Sequence, residues 1–144
     1  MTLTVTGVHH TGMTVSDLQT SVDFYGRFGF EEEERLEESG PEVDEGTGVT
    51  GAYLRVAMLV RGDTRLELIE YANSDGARPP AHPNNGIGAA HLAIEVDDID
   101  AAVAELRKDG VEFTSDPIYH ESGLRWVYMK DPDGITTELF QVLR

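Results

Sequence analysis

The chain has 144 residues, 40% of them hydrophobic and 26% charged, values typical of one globular domain. Its 27 acidic and 11 basic residues give a formal net charge of −16, which repels phosphate backbones and anionic lipids, so we expect neither nucleic acid nor membranes as partners. No cysteine is present, which excludes disulfides and thiolate metal sites. Without a leader or a long apolar run, a cytoplasmic location is expected.

The first predicted elements are a strand, a helix and three further strands. A β-rich run starts near His10, and Asp17 is suited to cap a following helix, which Gly29 is suited to end. Apolar residues recur at helical spacing between them: Leu18, Val22 and Tyr25. The three strands are predicted at about residues 30–35, 52–60 and 65–71.

Residues 36–51 interrupt these strands with an acidic, glycine-rich stretch. Nine acidic residues and one basic residue lie between Glu31 and Glu45, and such a charge run favours a solvated loop. The stretch is therefore predicted as a loop insertion, which could also close over a site as a lid. Residues 73–88, rich in Pro, Asn, Gly and Ala, are predicted as a linker.

A second copy of the pattern follows the linker. His91 lies 81 residues after His10, and the same offset without a gap aligns five further pairs: Asp17 with Asp98, Leu18 with Ile99, Val22 with Val103, Gly29 with Gly110, and Glu31 with Glu112. Strands are predicted near residues 111–114, 124–130 and 135–142. The chain is thus predicted to hold two βαβββ modules, at about 5–72 and 89–144, within a single domain.

Each module also carries a glutamate in its last strand. Glu67 and Glu138 lie 71 residues apart, and in each case strand alternation turns the carboxylate away from its leucine neighbours. A lone His or Glu is most often a solvated or hydrogen-bonded residue. Two equivalent His–Glu pairs are costly to bury without a compensating charge, which a divalent cation would supply.

With these features, the sequence resembles the vicinal oxygen chelate superfamily, which includes glyoxalase I, methylmalonyl-CoA epimerase, extradiol dioxygenases and bleomycin-resistance proteins. The resemblance covers nearly the whole chain and is carried by the motifs HHTGMTVSDLQTSVDFY, LELIEY, AHLAIEVDDIDA and DPDGITTEL. It implies an α+β fold in which the two modules form an incomplete, cupped eight-stranded β-barrel around a metal site. It also implies the metal ligands, namely His10, Glu67, His91 and Glu138, with His9 pointing to the other face.

The full ligand set is closest to the patterns of glyoxalase I and methylmalonyl-CoA epimerase. The resemblance therefore implies a metal-dependent lyase, isomerase or epimerase, with one divalent ion (Zn, Ni, Co, Mn or Fe) and a small oxygenated substrate. In such chemistry a metal-site carboxylate, Glu67 or Glu138, takes a proton next to a polarised carbonyl. The alternatives are an Fe(II) extradiol-type dioxygenase and a metal-free binding or antibiotic-resistance protein.

Further expectations concern the pocket and the assembly. Side chains on the strands of the cup are candidate substrate contacts, although core packing is an alternative for most of them: Arg55, Met58, Trp126, Tyr128 and Phe140. Tyr53 is another candidate, and Arg125 matches Arg55 in the repeat. A homodimer is expected, and the modules could pair within one chain or across that dimer.

Overall fold

A computed structural model describes residues 3–73 and 83–143. The chain divides into two compact units, Met1–Ala77 and Arg78–Arg144, and each unit contains one copy of the repeat. Most of the predicted linker, including His82, lies outside the described residues, and its described part, residues 83–88, contains no helix or strand. Within the described ranges, no helix is long and apolar enough to cross a membrane.

Unit 1 is a four-stranded sheet with two helices. Its elements are β1 (Thr11–Thr14), α1 (Leu18–Gly26), β2 (Glu31–Ser39), α2 (Pro41–Thr47), β3 (Tyr53–Arg61) and β4 (Thr64–Tyr71). The strand order is β1-β4-β3-β2, with β1 parallel to β4 and the other neighbours antiparallel. Helix α1 therefore serves as the crossover that a parallel pair requires.

Unit 2 repeats this connectivity with one helix fewer. Its elements are β5 (Leu92–Glu95), α3 (Ile99–Lys108), β6 (Ile118–His120), β7 (Leu124–Lys130) and β8 (Thr136–Val142). The strand order is β5-β8-β7-β6, and β5 is parallel to β8. The predicted α+β fold with two βαβββ modules is confirmed.

The two crossover helices begin and end as predicted. Asp17 and Asp98 each accept a hydrogen bond from the backbone amide three residues further on, at 2.8 and 2.9 Å. These bonds satisfy amides that the first helical turn leaves unpaired, and they hold the pKa of the Asp17 carboxyl below its usual value. After each helix, Gly29 (φ 79°) and Gly110 (φ 81°) adopt the left-handed conformation that glycine accepts most readily.

The core of each unit lies between its crossover helix and one face of its sheet. Leu18 and Tyr25 of α1 are buried, as are Ile99, Val103 and Leu106 of α3. The buried strand residues include Ala57, Leu59, Leu66 and Leu68 in unit 1, and Val127, Met129 and Leu139 in unit 2. The opposite face of each sheet is not covered by the crossover helix, and in unit 1 part of it carries a second buried cluster that includes Leu54 and Val56.

The predicted loop at residues 36–51 is wrong, because β2 continues to Ser39 and helix α2 follows. Pro41 opens α2, and Gly48 (φ 71°) closes it in the left-handed conformation. Val43 packs against a buried cluster on the sheet: Ala52, Leu54 and Val56. Asp44 of α2 also accepts hydrogen bonds from the backbone amides of Gly51 and Ala52, at 2.7 and 2.9 Å. Apolar packing and these two bonds fix a segment that its charge content suggests is entirely solvated.

The strand predicted at residues 111–114 is reduced to one bridge between Phe113 and Met129. The edge strand of this sheet is instead β6, further along the chain. The Arg107 guanidinium donates to the Ser115 carbonyl at 3.3 Å and to the Asp116 carboxylate at 2.8 Å. These bonds tie residues 115–116 to helix α3. Residues 115–116 lie between the Phe113 bridge and β6, so the two are separate.

Replacing the Asp98 cap tests the helix start in unit 2. The Asp98→Ala variant should lower the free energy of unfolding by about 1 kcal/mol, because one amide of α3 loses its acceptor. Asp98→Asn keeps an acceptor oxygen and should stay close to the wild type. Urea denaturation measures both; equal losses in the two variants would contradict a capping role.

Candidate metal centre

Glu67 and Glu138 occupy the sheet face that the crossover helices do not cover. Glu67 lies between Leu66 and Leu68, both buried toward α1, so the glutamate projects from the other face. Glu138 is placed in the same way in β8, before the buried Leu139. Their side chains are 23% and 14% exposed, so both carboxylates are partly withdrawn from water.

In unit 1, Glu67 meets His10. The histidine lies immediately before β1, and Gly12, two residues later, is the register partner of Glu67. His10 Nε2 lies 3.5 Å from Glu67 Oε1. Glycine at position 12 leaves room beside the pair, since an added Cβ would lie 3.6 Å from that carboxylate oxygen.

Unit 2 repeats the arrangement at the same register. His91 lies immediately before β5, and Ala93, two residues later, is the partner of Glu138. His91 Nε2 lies 3.0 Å from Glu138 Oε2. Both histidines therefore lie just outside the strands in which the sequence places them, yet each is next to the glutamate of its own module.

The prediction that His9 points away from His10 is wrong. Their Nδ1 atoms are 2.8 Å apart, and their rings meet edge to face with centroids separated by 5.1 Å. Both residues precede β1, so the alternation of a strand does not apply to them. His9 is therefore a direct neighbour of the His10 ring.

Four of the five predicted substrate contacts lie on the glutamate face. Met58 is the register partner of Glu67, and Tyr128 is the partner of Glu138. The Tyr128 ring lies 5.0 Å from the His91 ring and 5.3 Å from the Trp126 ring, measured between centroids. Trp126 is in turn the partner of Phe140. Unit 2 therefore surrounds its His–Glu pair with aromatic side chains, whereas unit 1 presents a methionine.

Arg55 does not fit its predicted role in substrate binding. It lies on the opposite face of the sheet, where its guanidinium is 3.2 Å from Glu70 and 3.5 Å from Glu37. Tyr53 lies on that face as well and donates a hydrogen bond to Glu37. Strand alternation explains the error, because Arg55 and Met58 are an odd number of residues apart.

Arg125 behaves like Arg55. It forms a bidentate ion pair with Asp100 of α3, with N–O distances of 2.6 and 2.9 Å. This pair lowers the pKa of the Asp100 carboxyl and fastens the helix to its sheet. Neither arginine is available on the glutamate face to hold an anionic group.

Two positioning contacts escape the sequence analysis, although the repeat contains their signal. Glu70 accepts a hydrogen bond from the first amide of α1, on Leu18, at 2.8 Å, and Gln141 accepts one from the first amide of α3, on Ile99, at 3.1 Å. Glu70 and Gln141 occupy matching places at the 71-residue offset. Each contact locks the end of the glutamate-bearing strand to the helix that follows the histidine.

The donor atoms of each pair suit a divalent cation. Imidazole nitrogen and carboxylate oxygen both bind such ions at about 2.1 Å, and two bonds of that length meeting near a right angle place their donors about 3.0 Å apart. The observed separations of 3.0 and 3.5 Å agree with this spacing. Across the described ranges, no group of three or more His, Asp or Glu side chains is gathered as a metal site. The structure therefore shows two separate His–Glu pairs, called half-sites below, each with two donor atoms of a kind that can bind a divalent cation.

Comparison with known proteins places this arrangement in context. The family model described as "Glyoxalase/Bleomycin resistance protein/Dioxygenase superfamily" matches residues 7–139. A 2-epi-5-epi-valiolone epimerase from Actinomyces sp is 38% identical, over 94% of this chain and 79% of the relative. The mitochondrial methylmalonyl-CoA epimerase of Homo sapiens is 27% identical, over 93% of this chain and 73% of the relative.

Solved structures show the same fold. A glyoxalase family protein from Bacillus cereus superposes with a TM-score of 0.89 at 24% identity, covering 99% of this chain and 97% of its own. A fosfomycin resistance protein, FosX, from Listeria monocytogenes, solved with Mn(II), has a TM-score of 0.64 at 17% identity, covering 94% and 92%. Structures with this fold therefore include one that binds a divalent metal.

The space beside Glu67 provides a test of the half-site. Gly12→Ala should be tolerated, because its Cβ makes only van der Waals contact with the carboxylate. Gly12→Leu should force His10 and Glu67 apart and weaken Mn(II) binding by about 10-fold or more, the scale on which neighbours of metal ligands act. Isothermal titration measures the affinity, with Gly26→Leu as the control, since no atom lies within 4 Å of its added Cβ. Unchanged Mn(II) affinity in Gly12→Leu would contradict the half-site.

Proposed function

The chain belongs to the glyoxalase/bleomycin resistance/dioxygenase superfamily, and we propose that it is a divalent-metal-dependent epimerase acting on a small oxygenated substrate. The observation that carries this proposal is the duplication of one His–Glu pair at the same strand register in both units. Two relatives that match more than nine-tenths of the chain are epimerases by name, which favours this reaction over ring cleavage or antibiotic binding.

The proposed metal ligands are the four residues of the two half-sites: His10, Glu67, His91 and Glu138. A mixed nitrogen and oxygen set suits Zn, Ni, Co, Mn or Fe, and FosX with Mn(II) is a precedent within the fold. When bound, the cation supplies positive charge beside the oxygen of a substrate carbonyl. We propose that both half-sites serve one cation, within one chain or across a homodimer.

The carboxylates of the half-sites are the proposed proton carriers. A hydrogen next to a carbonyl is acidic once the charge that develops on the oxygen is stabilised, and a carboxylate within reach can then remove it. Glu138 is the more enclosed of the two, at 14% exposed against 23% for Glu67. Removing the proton and returning it to the other face of the same carbon inverts that centre.

The side chains around the half-sites are proposed to orient the substrate. In unit 2 the face beside Glu138 is aromatic, and the phenol of Tyr128 and the indole of Trp126 carry polar tips that can hydrogen bond to hydroxyl or carbonyl groups. Phe140 and Met58 add apolar surface on their respective sheets. A substrate with both polar and apolar parts fits this lining.

A homodimer remains part of the proposal. Strand β2 is a nine-residue sheet edge, but its glutamates already protect it from edge-to-edge pairing, so this strand gives no support for a dimer. A twofold assembly is the commonest closed arrangement of identical chains. Light scattering at working concentrations tests it, and a fully active monomer would contradict it.

Hydrogen exchange in deuterated solvent tests the reaction directly. With 2-epi-5-epi-valiolone or methylmalonyl-CoA as the probe, the metal-loaded protein should invert one centre and incorporate solvent deuterium there. Glu138→Gln keeps a coordinating oxygen but removes the basic carboxylate, so it should lower the rate by about 100-fold or more. Mass spectrometry and NMR measure exchange and inversion.

Glu67→Gln is the matched variant. Loss of turnover in Glu67→Gln with full turnover in Glu138→Gln would make Glu67 the base. If both variants keep full activity, neither glutamate is the base. If turnover consumes oxygen, the epimerase proposal fails and a dioxygenase replaces it. Binding of a probe without any exchange, and without need of metal, would instead favour a metal-free binding protein.

A further inference from the structure

A β-bulge interrupts strand β2 beside the unit 1 half-site. Glu32 pairs with Leu59 and Glu34 pairs with Met58, so Glu33 is the extra residue between two consecutive positions of β3. A bulge of this kind shifts the alternation of the strand by one, and bulges often redirect a side chain next to an active site. Glu34 therefore lies on the same face as Met58.

This shift places Glu34 in one row with the half-site. Met58 of β3 is the partner of both Glu34 on β2 and Glu67 on β4. Neighbouring strands are about 4.8 Å apart, so the backbones of Glu34 and Glu67 are separated by roughly 10 Å, with Met58 between them. Glu34 and Glu67 thus flank Met58 on the same face of the sheet.

The acidic neighbours of Glu34 are already engaged. The Arg65 guanidinium holds Glu33 with two hydrogen bonds of 3.2 Å, which lower the pKa of the Glu33 carboxyl. Glu32 is bound by Arg35 at 2.6 and 2.9 Å. Glu34 is exposed, and none of these arginines contacts it in the described part of the chain. Its carboxylate is therefore accessible to a substrate.

The two units differ at the position next to Met58 in unit 1 and next to Tyr128 in unit 2. Next to Tyr128, which corresponds to Met58, unit 2 places Thr114, whose amide donates to the Tyr128 carbonyl at 3.0 Å. Unit 1 thus has a carboxylate where unit 2 has a hydroxyl, and that hydroxyl donates to the Tyr128 carbonyl at 3.3 Å. Inversion of one carbon needs one group that removes a proton from one side and another group that delivers a proton to the other side. The two His–Glu pairs are alike, so the duplication does not assign these two roles.

We infer, on the basis of the proposed function, that Glu34 is the second acid–base residue of the epimerase. A carboxylate of the His–Glu pairs removes the proton, and the C–H bonding electrons become the double bond of the enolate as the carbonyl oxygen takes up the charge. Glu34, protonated, then delivers its proton to the opposite face of the same carbon. The first carboxylate leaves protonated and Glu34 leaves ionised, and exchange with solvent restores both.

The Glu34→Gln variant tests this role through the ratio of two rates. Removal of the proton and its return to the same face remain possible, so deuterium incorporation with retention should persist. Inversion of the probe, 2-epi-5-epi-valiolone or methylmalonyl-CoA, should fall by about 100-fold or more. Mn(II) affinity, measured by isothermal titration, should equal that of the wild type because Glu34 is not a proposed ligand.

Glu38→Gln is the matched control, since it removes one charge from the same face of the same strand. Glu38 lies four residues after Glu34 and pairs with Leu54 instead of Met58. It should leave exchange and inversion unchanged. Inversion by Glu34→Gln within about twofold of the control would overturn the inference, and so would parallel loss of exchange, inversion and Mn(II) affinity. A wild-type protein that inverts neither probe overturns the proposed function, and the assignment of Glu34 with it.

Discussion

The parallel pairing of β1 with β4, and of β5 with β8, is the constraint on which the site depends. Each pairing sets the residue two places after the histidine opposite the glutamate, so the imidazole and the carboxylate share one face of the sheet. A parallel pair requires a crossover, which the helix in each unit provides. The cap at the helix start and the contact from Glu70 or Gln141 fix that crossover to the strand that holds the glutamate.

The His–Glu pair is duplicated in the two units, whereas the side chains around it differ. Two His–Glu pairs supply the balanced charge and donor types that a divalent cation requires. The surroundings differ, with Met58 and the bulge at Glu33 in unit 1 and the Trp126–Tyr128 aromatic pair in unit 2. The proposed metal ligands are thus duplicated, whereas the side chains proposed to contact the substrate are not.

The sequence predicts the features that depend on local periodicity and on the repeat. It does not predict features that depend on contacts between residues distant in sequence. Helix caps, the βαβββ order of elements along the chain and the glutamate face follow from alternation and spacing. The sequence does not predict helix α2, because its charged residues outnumber the one side chain, Val43, that packs, partly buried, against the cluster on the sheet. Arg55 is a different case, since strand alternation from Met58 already puts it on the opposite face, whereas the effect of the Glu33 bulge depends on a register that no local pattern encodes.

The central claim is that both half-sites hold one cation. A crystal structure of the Mn(II)-loaded protein, with anomalous differences recorded, tests this most directly. We expect one strong anomalous peak shared by two half-sites and bonded to His10, Glu67, His91 and Glu138 at about 2.1 Å. Separate peaks at the two half-sites, or a fully occupied Mn(II) bonded to other residues, would contradict it.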